Sequence, residues 1–196
     1  MLSLREQIEL LEIDLKADPV RIAAYSDFPF AIFRYAPGDE WEMRREMRLL
    51  SVRLNQEGKR VHSWSMAELL WQSLEGADDF AALVELEKER GFRAAEAQAS
   101  TYLTDDDFLP IHALLAKRYE GLHPASDVVF LWRLGALAPN LLRVSGLLER
   151  LHSMRAPVVP TVVFYPGSWQ HTLSFMNLRQ PDEPLGSYRV KVYGRE

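Results

Sequence analysis

The chain has 196 residues, 47% hydrophobic and 26% charged, a size and balance that let one domain bury its core without covalent staples. It contains no cysteine, which excludes disulfides, cysteine-ligated zinc, iron–sulfur clusters and thiol nucleophiles. Net charge is −5, no apolar run approaches the length of a membrane span, and the opening MLSLREQIELLEIDLK sets acids within its apolar pattern, unlike a signal peptide. A cytoplasmic protein with no membrane segment is expected.

Ser3 and Glu6 form a capping box, and Leu4, Ile8, Leu11 and Leu15 follow at helical spacing until Asp18-Pro19. FAIFRY, Phe30 to Tyr35, reads as a strand. From Asp39 an amphipathic helix sets Met43, Met47, Leu50 and Leu54 on one face, and Gly58 ends it. Arg60 to Ser63 is expected as a short strand, since a strand–helix–strand unit needs a partner there. Ser65 and Glu68 make a second capping box, opening a helix through Leu69, Leu70 and Leu74. Residues 77 to 120 are expected to be helical throughout, because ELEKER and RAAEAQA are strong helix formers, with Thr104 starting a further helix.

Val128 to Leu134 is the near-continuous apolar run of a buried parallel strand. Ala138 to His152 is expected as a helix, Pro160 to Tyr165 as another buried strand, and Tyr188 to Tyr193 as the last. This order predicts an α/β fold, a single domain over residues 1–196. It has a largely parallel sheet of about five strands flanked by helices, and residues 66–120 form an inserted helical block or subdomain.

Two apolar runs end at Pro-Gly, and each invites a phosphate-loop reading. Pro37-Gly38-Asp39-Glu40 has one glycine, no lysine, and acids at the positive end of a helix, so it is read as a cap. Tyr165-Pro166-Gly167-Ser168-Trp169 is read as a turn that ends a strand and presents Trp169 as an interface anchor. Ser168 follows a strand and His171 lies close by, but Pro166 and Gln170 stand where a nucleophile elbow has glycines. Asp105-Asp106-Asp107 is read as helix-capping acids after Thr104, since consecutive helical residues diverge. The five histidines show no ligand spacing, and no catalytic residue, cofactor or metal is assigned.

Charge is unevenly placed. Residues 77 to 107 carry nine acids against three bases, and residues 128 to 196 carry eight bases against four acids. That polarity suits docking to another protein better than tracking a phosphate backbone. Arg143, beside the apolar seam of its helix, and Arg189, on the final strand, are the remaining charged residues singled out.

FLWRLGALAPNLLRVSGLLERLHS, VPTVVFYPGSWQHTLSFMNL and SYRVKVYG together resemble the BrxB family of BREX phage-defence systems. PFAIFRYAPGDEWEMRREMRLLSVRLNQEGKRVHSWSMAELLWQSL follows the same family's strand, Pro, acidic helix start and Gly-Lys-x-Val strand. The likeness covers roughly residues 28 to 75 and 127 to 194. The family commonly carries aromatics where Ala138 and Asn140 flank Pro139 and where Ser187 precedes Tyr188-Arg189.

The resemblance implies a small component of a defence complex that also contains a phosphatase-like protein (PglZ), a methyltransferase (PglX) and a large ATPase (BrxC). It carries no catalytic residues over, so the expectation is a non-enzymatic adaptor. Such an adaptor docks PglZ first, with BrxC and PglX as further partners, and meets DNA only through the complex. Self-association into a homodimer is compatible with the sequence. The residues singled out as family-motif or contact positions are Tyr35, Gly135, Pro139, Arg143, Tyr165, Pro166, Gly167, Trp169, Tyr188 and Arg189. Two other readings are compatible with the sequence: a hydrolase or nucleotide binder with an atypical site near Ser168, Arg143 and Tyr188 at the sheet's carboxyl end, and a DNA-binding accessory using the basic C-terminal third.

Overall fold

The computed structural model describes residues 2–22, 29–77, 80–138, 141–153, 159–170, 172–177 and 190–194. Five parallel strands stand in the order β2 (Arg60–Ser65), β3 (Asp127–Trp132), β4 (Thr161–Gln170), β1 (Phe30–Tyr35), β6 (Lys191–Tyr193). A sixth, β5 (Thr172–Phe175), pairs antiparallel with the far end of β4. The expected α/β class with a largely parallel sheet is what the chain adopts.

Strand alternation divides the core into two. On one face α1 (Leu4–Lys16) and α2 (Glu40–Gln56) cover Ala31, Phe33, Val128, Phe130, Val162 and Phe164. On the other, α3 (Met66–Gly76), α4 (Phe80–Arg90), α5 (Phe92–Thr104), α6 (Ile111–Tyr119) and α7 (Val144–Ser153) cover Ile32, Val129, Leu131, Val163 and Tyr165. With both faces covered, β1 is buried at every position, which is why FAIFRY reads as a run rather than an alternation. The crossover leaving β1 runs over one face and the crossovers leaving β2 and β3 over the other. The carboxyl ends of β3, β4 and β1 therefore frame the crevice where such sheets open outward.

Local signals explain the helix starts. Ser3 accepts from the Glu6 amide and returns its own amide to Glu6 Oε2 at 2.7 Å, which is the predicted capping box. Ser65 accepts from the Glu68 amide at 3.4 Å and opens α3. At the sheet edge, Lys191 pairs with Asp14, and the Tyr193 hydroxyl donates to Asp14 Oδ2 at 2.7 Å, fixing β6 to α1.

Several boundaries differ from expectation. The block from 77 to 120 is not continuous helix: Gly91 parts α4 from α5, and residues 105–110 are a loop. Thr104 closes α5 rather than opening a helix, its hydroxyl bonded back to the Ser100 carbonyl at 2.8 Å. The three aspartates are therefore not capping acids. Asp105 Oδ1 accepts from the Asp107 amide at 3.0 Å in an Asx turn, and α6 begins only after Pro110, which cannot donate within a helix. The helix expected from Ala138 begins at Val144, after a 3-10 turn at Leu134–Leu137.

The larger correction concerns Pro166-Gly167. The chain does not turn there: β4 runs straight through both to Gln170 and folds back into β5, with Gly167 opposite Phe175 and Ser168 opposite Ser174. Pro166 sits at the last rung shared with β1, opposite Tyr35, and its carbonyl accepts from the Met176 amide at 2.8 Å.

Candidate docking site at the carboxyl end of the sheet

Tyr35, the last residue of β1, is buried, and its hydroxyl donates to Glu40 in the first turn of α2. Burial first, and this bond second, push the phenol well above its ordinary range, so Tyr35 is a fixed neutral donor. Glu40 in turn holds Arg44 through Nε at 2.7 Å, one helical turn on. Between them Pro37–Asp39 forms a single 3-10 turn. The predicted acidic helix start is present, although Asp39 makes no side-chain cap and Glu40 is the acid that is engaged.

Held this way, the Arg44 guanidinium lies between two indoles, its carbon 4.9 Å from the Trp41 ring centroid and 5.1 Å from that of Trp132. Trp41 is 76% exposed. Trp132 ends β3, packs against the α1–α2 face, and has a buried indole N–H with no hydrogen-bond partner among the described residues. Arg133 follows in the left-handed region at φ 58°, its guanidinium carbon 5.8 Å from the same Trp132 ring. A non-glycine residue held there stores backbone strain of about 1–3 kcal/mol, and such positions cluster at functional surfaces. Trp41, Arg44, Trp132 and Arg133 thus form one cation–aromatic surface on the rim of the crevice, with the buried Tyr35 behind it holding Glu40.

The other side of the crevice is tied by Arg34, a buried cation whose Nε donates to the Gly194 carbonyl at 2.5 Å and whose Nη1 reaches the Gly167 carbonyl at 3.5 Å. Gly194, at φ +80°, brings its backbone so close that an added Cβ would stand 2.3 Å from the Arg34 carbonyl oxygen. A Cβ on Gly167 would stand 2.1 Å from the Ser174 carbonyl oxygen. At both positions any larger residue forces the backbone to shift.

The residues singled out in the sequence fall into separate groups. Tyr35, Tyr165, Pro166 and Gly167 meet at the β1–β4 carboxyl ends, where Tyr165 is buried edge-on to Phe175 at 5.4 Å between ring centroids. Gly135 lies in the 3-10 turn after β3, facing Met176. Arg143 stands on the helical face, beside a cavity shared by α5, α6 and α7. Pro139, Tyr188 and Arg189 lie outside the described residues, as does the Trp169 side chain, whose backbone pairs with Leu173. Ser168 is a strand residue with no helix after it, so the strand-to-helix geometry of a nucleophile elbow is not formed there.

Sequence reading missed Trp41, Arg44, Trp132 and Arg133. Trp41 and Arg44 at i, i+3 were legible as neighbours, but nothing in the sequence pairs them with position 132.

Residues 62–191 match the family described as BREX protein BrxB, well over half of the chain. The chain belongs to the BrxB family. Membership makes it a component of a BREX phage-defence system, working with other components of that system. The matched stretch begins inside β2, takes in the helical block and ends at β6, so Trp132, Arg133 and the cavity beside Arg143 lie within it. Trp41 and Arg44 lie before it. No curated protein and no solved structure matches the chain. Among the described residues no helix is long and apolar enough to cross a membrane, and no group of three or more His, Asp or Glu side chains converges as a metal site would require.

Proposed function

We propose that this BrxB-family chain is a non-catalytic adaptor that docks larger BREX proteins, the phosphatase-like PglZ first, through the cation–aromatic surface at the carboxyl end of its sheet. BrxC and PglX are the further partners, and DNA is met through the complex. The observation that carries the reading is Arg44 held between Trp41 and Trp132, with Trp41 largely in solvent. Trp and Arg are the side chains that dominate binding energy at protein interfaces, and a pre-stacked pair loses little side-chain freedom on docking.

The test is co-purification of the chain with PglZ, BrxC and PglX, each tagged in turn. Retention with PglZ is expected. A chain recovered alone in every case contradicts the adaptor role.

A further inference from the structure

Helix α4 buries one of its eleven residues, Leu83, although its first five, Phe80 to Val84, are all apolar. A helix packed on a self-contained core usually turns roughly three or four apolar residues inward in every two turns. Phe80 is 40% and Val84 37% exposed, and they stand one turn apart on one side of α4. Trp71, 52% exposed on α3, meets Phe80 with ring centroids 5.8 Å apart. The two helices thus share an apolar face in solvent, on the side of the sheet opposite α2.

Carboxylates border this face. Glu68 and Glu75 lie three and four residues from Trp71, and Glu87 lies three from Val84, so each shares a helix side with the apolar residue it flanks. All three are exposed, and none enters an ion pair among the described residues. The bases beside them are engaged: Lys88 pairs with Glu85 at 2.6 Å, and Arg118 lies over the Trp64 ring and donates from Nη2 to the Gln72 side chain at 3.0 Å.

An exposed aromatic centre within a carboxylate border sets the chemistry of what covers it. The apolar centre, Trp71 above all, supplies contact area, while the acids favour a cationic rim and reject an anionic one. A basic amphipathic helix meets both demands. Its apolar stripe covers Trp71, Phe80 and Val84, and its lysines or arginines face Glu68, Glu75 and Glu87.

We propose that the α3–α4 face docks a basic amphipathic helix of a partner protein. This is a second surface, across the sheet from Trp41, Arg44 and Trp132, and it does not rest on the docking role proposed for them.

The test is amide-resolved NMR titration of the full chain with two synthetic helical peptides that share a leucine stripe, one with lysine and one with glutamate at the remaining positions. Wild type is compared with Glu68→Gln/Glu75→Gln/Glu87→Gln and with Trp71→Ala/Phe80→Ala. All five side chains are exposed, and a cooperative melting curve without peptide verifies each fold. The lysine peptide is expected to give saturable shifts centred on α3 and α4. Its binding is expected to weaken by roughly tenfold or more in each variant, and in wild type to fall as salt is raised. The glutamate peptide is expected not to bind. The proposal is overturned by no saturable shift with the lysine peptide, by shifts centred elsewhere, by binding that either variant retains in full, or by equal binding of the glutamate peptide. Sedimentation of the chain alone is expected to be the same for wild type and Trp71→Ala/Phe80→Ala. A wild-type dimer that this variant dissolves assigns the face to a second copy and also overturns the proposal.

Discussion

Asp127 opens β3 at the amino end of the sheet, and replacing it with Asn isolates what its charge contributes. Its side chain is 1% exposed, and burial alone would raise its pKa. Three donors outweigh that: the His123 amide at 2.7 Å, His62 Nε2 at 2.8 Å and the Arg60 guanidinium at 2.6 Å. Together they hold the carboxyl down at about 2, against 3.8 ordinarily. The folded state therefore binds this proton less readily than the unfolded chain. The resulting stability is fully present above the unfolded value and is lost as pH falls towards the folded one.

The difference corresponds to about 2 kcal/mol at neutral pH, roughly half of it gone by pH 3. Urea unfolding of wild type and Asp127→Asn at a series of pH values from 7 down to about 3 measures this directly. The variant is expected to be less stable by about 2 kcal/mol at pH 7, with the gap closing as the medium is acidified. Equal stability at pH 7, or a gap that stays constant into acid, refutes the reasoning.

Gly167→Ala forces a Cβ to within 2.1 Å of the Ser174 carbonyl oxygen and is expected to lose about 1–3 kcal/mol in thermal or urea unfolding. Gly135→Ala meets only the flexible Met176 side chain, Sδ at 3.5 Å and Cε at 3.9 Å, both ordinary contacts, and is expected to unfold within about 0.5 kcal/mol of wild type. Tyr35→Phe leaves Glu40 without its buried donor. It is expected to lower stability by about 1 kcal/mol and to weaken recovery of PglZ, because Glu40 positions Arg44. In wild type, spectroscopic titration is expected to show a tyrosine fraction still protonated well above the ordinary phenol range, with Tyr35 in it.

The parts of the fold that local chemistry dictates were legible in the sequence. Ser3 with Glu6, the methionine–leucine stripe of α2 and the unbroken apolar run of β1 each announce their element, because cap, period and two-sided burial leave a direct trace. The errors lie where a distant partner decides. Pro166-Gly167 carries the composition of a turn. The chain stays extended there because β1 pairs with it up to Tyr35 and β5 returns along it, a pairing that needs glycine at 167 for a backbone contact with Ser174. Thr104 looked like a cap before three acids, yet Pro110 sets the true start of α6. The candidate docking surface was legible only in part. Tyr35 was found as the end of a strand, but Arg44 meets Trp132 across about ninety residues of intervening chain, and only the order of strands brings them together.

The adaptor role is tested most directly by Trp41→Ala combined with Arg44→Ala, carried through the same co-purification with tagged PglZ. Trp41 stands in solvent and Arg44 is half-buried outside both core clusters, so the double variant is expected to fold, and an unchanged far-UV spectrum with a cooperative melt checks this. Loss of PglZ recovery from a folded variant is the predicted result. Undiminished recovery of PglZ with the folded double variant contradicts the claim that the stacked Trp41–Arg44–Trp132 surface is where the partner docks.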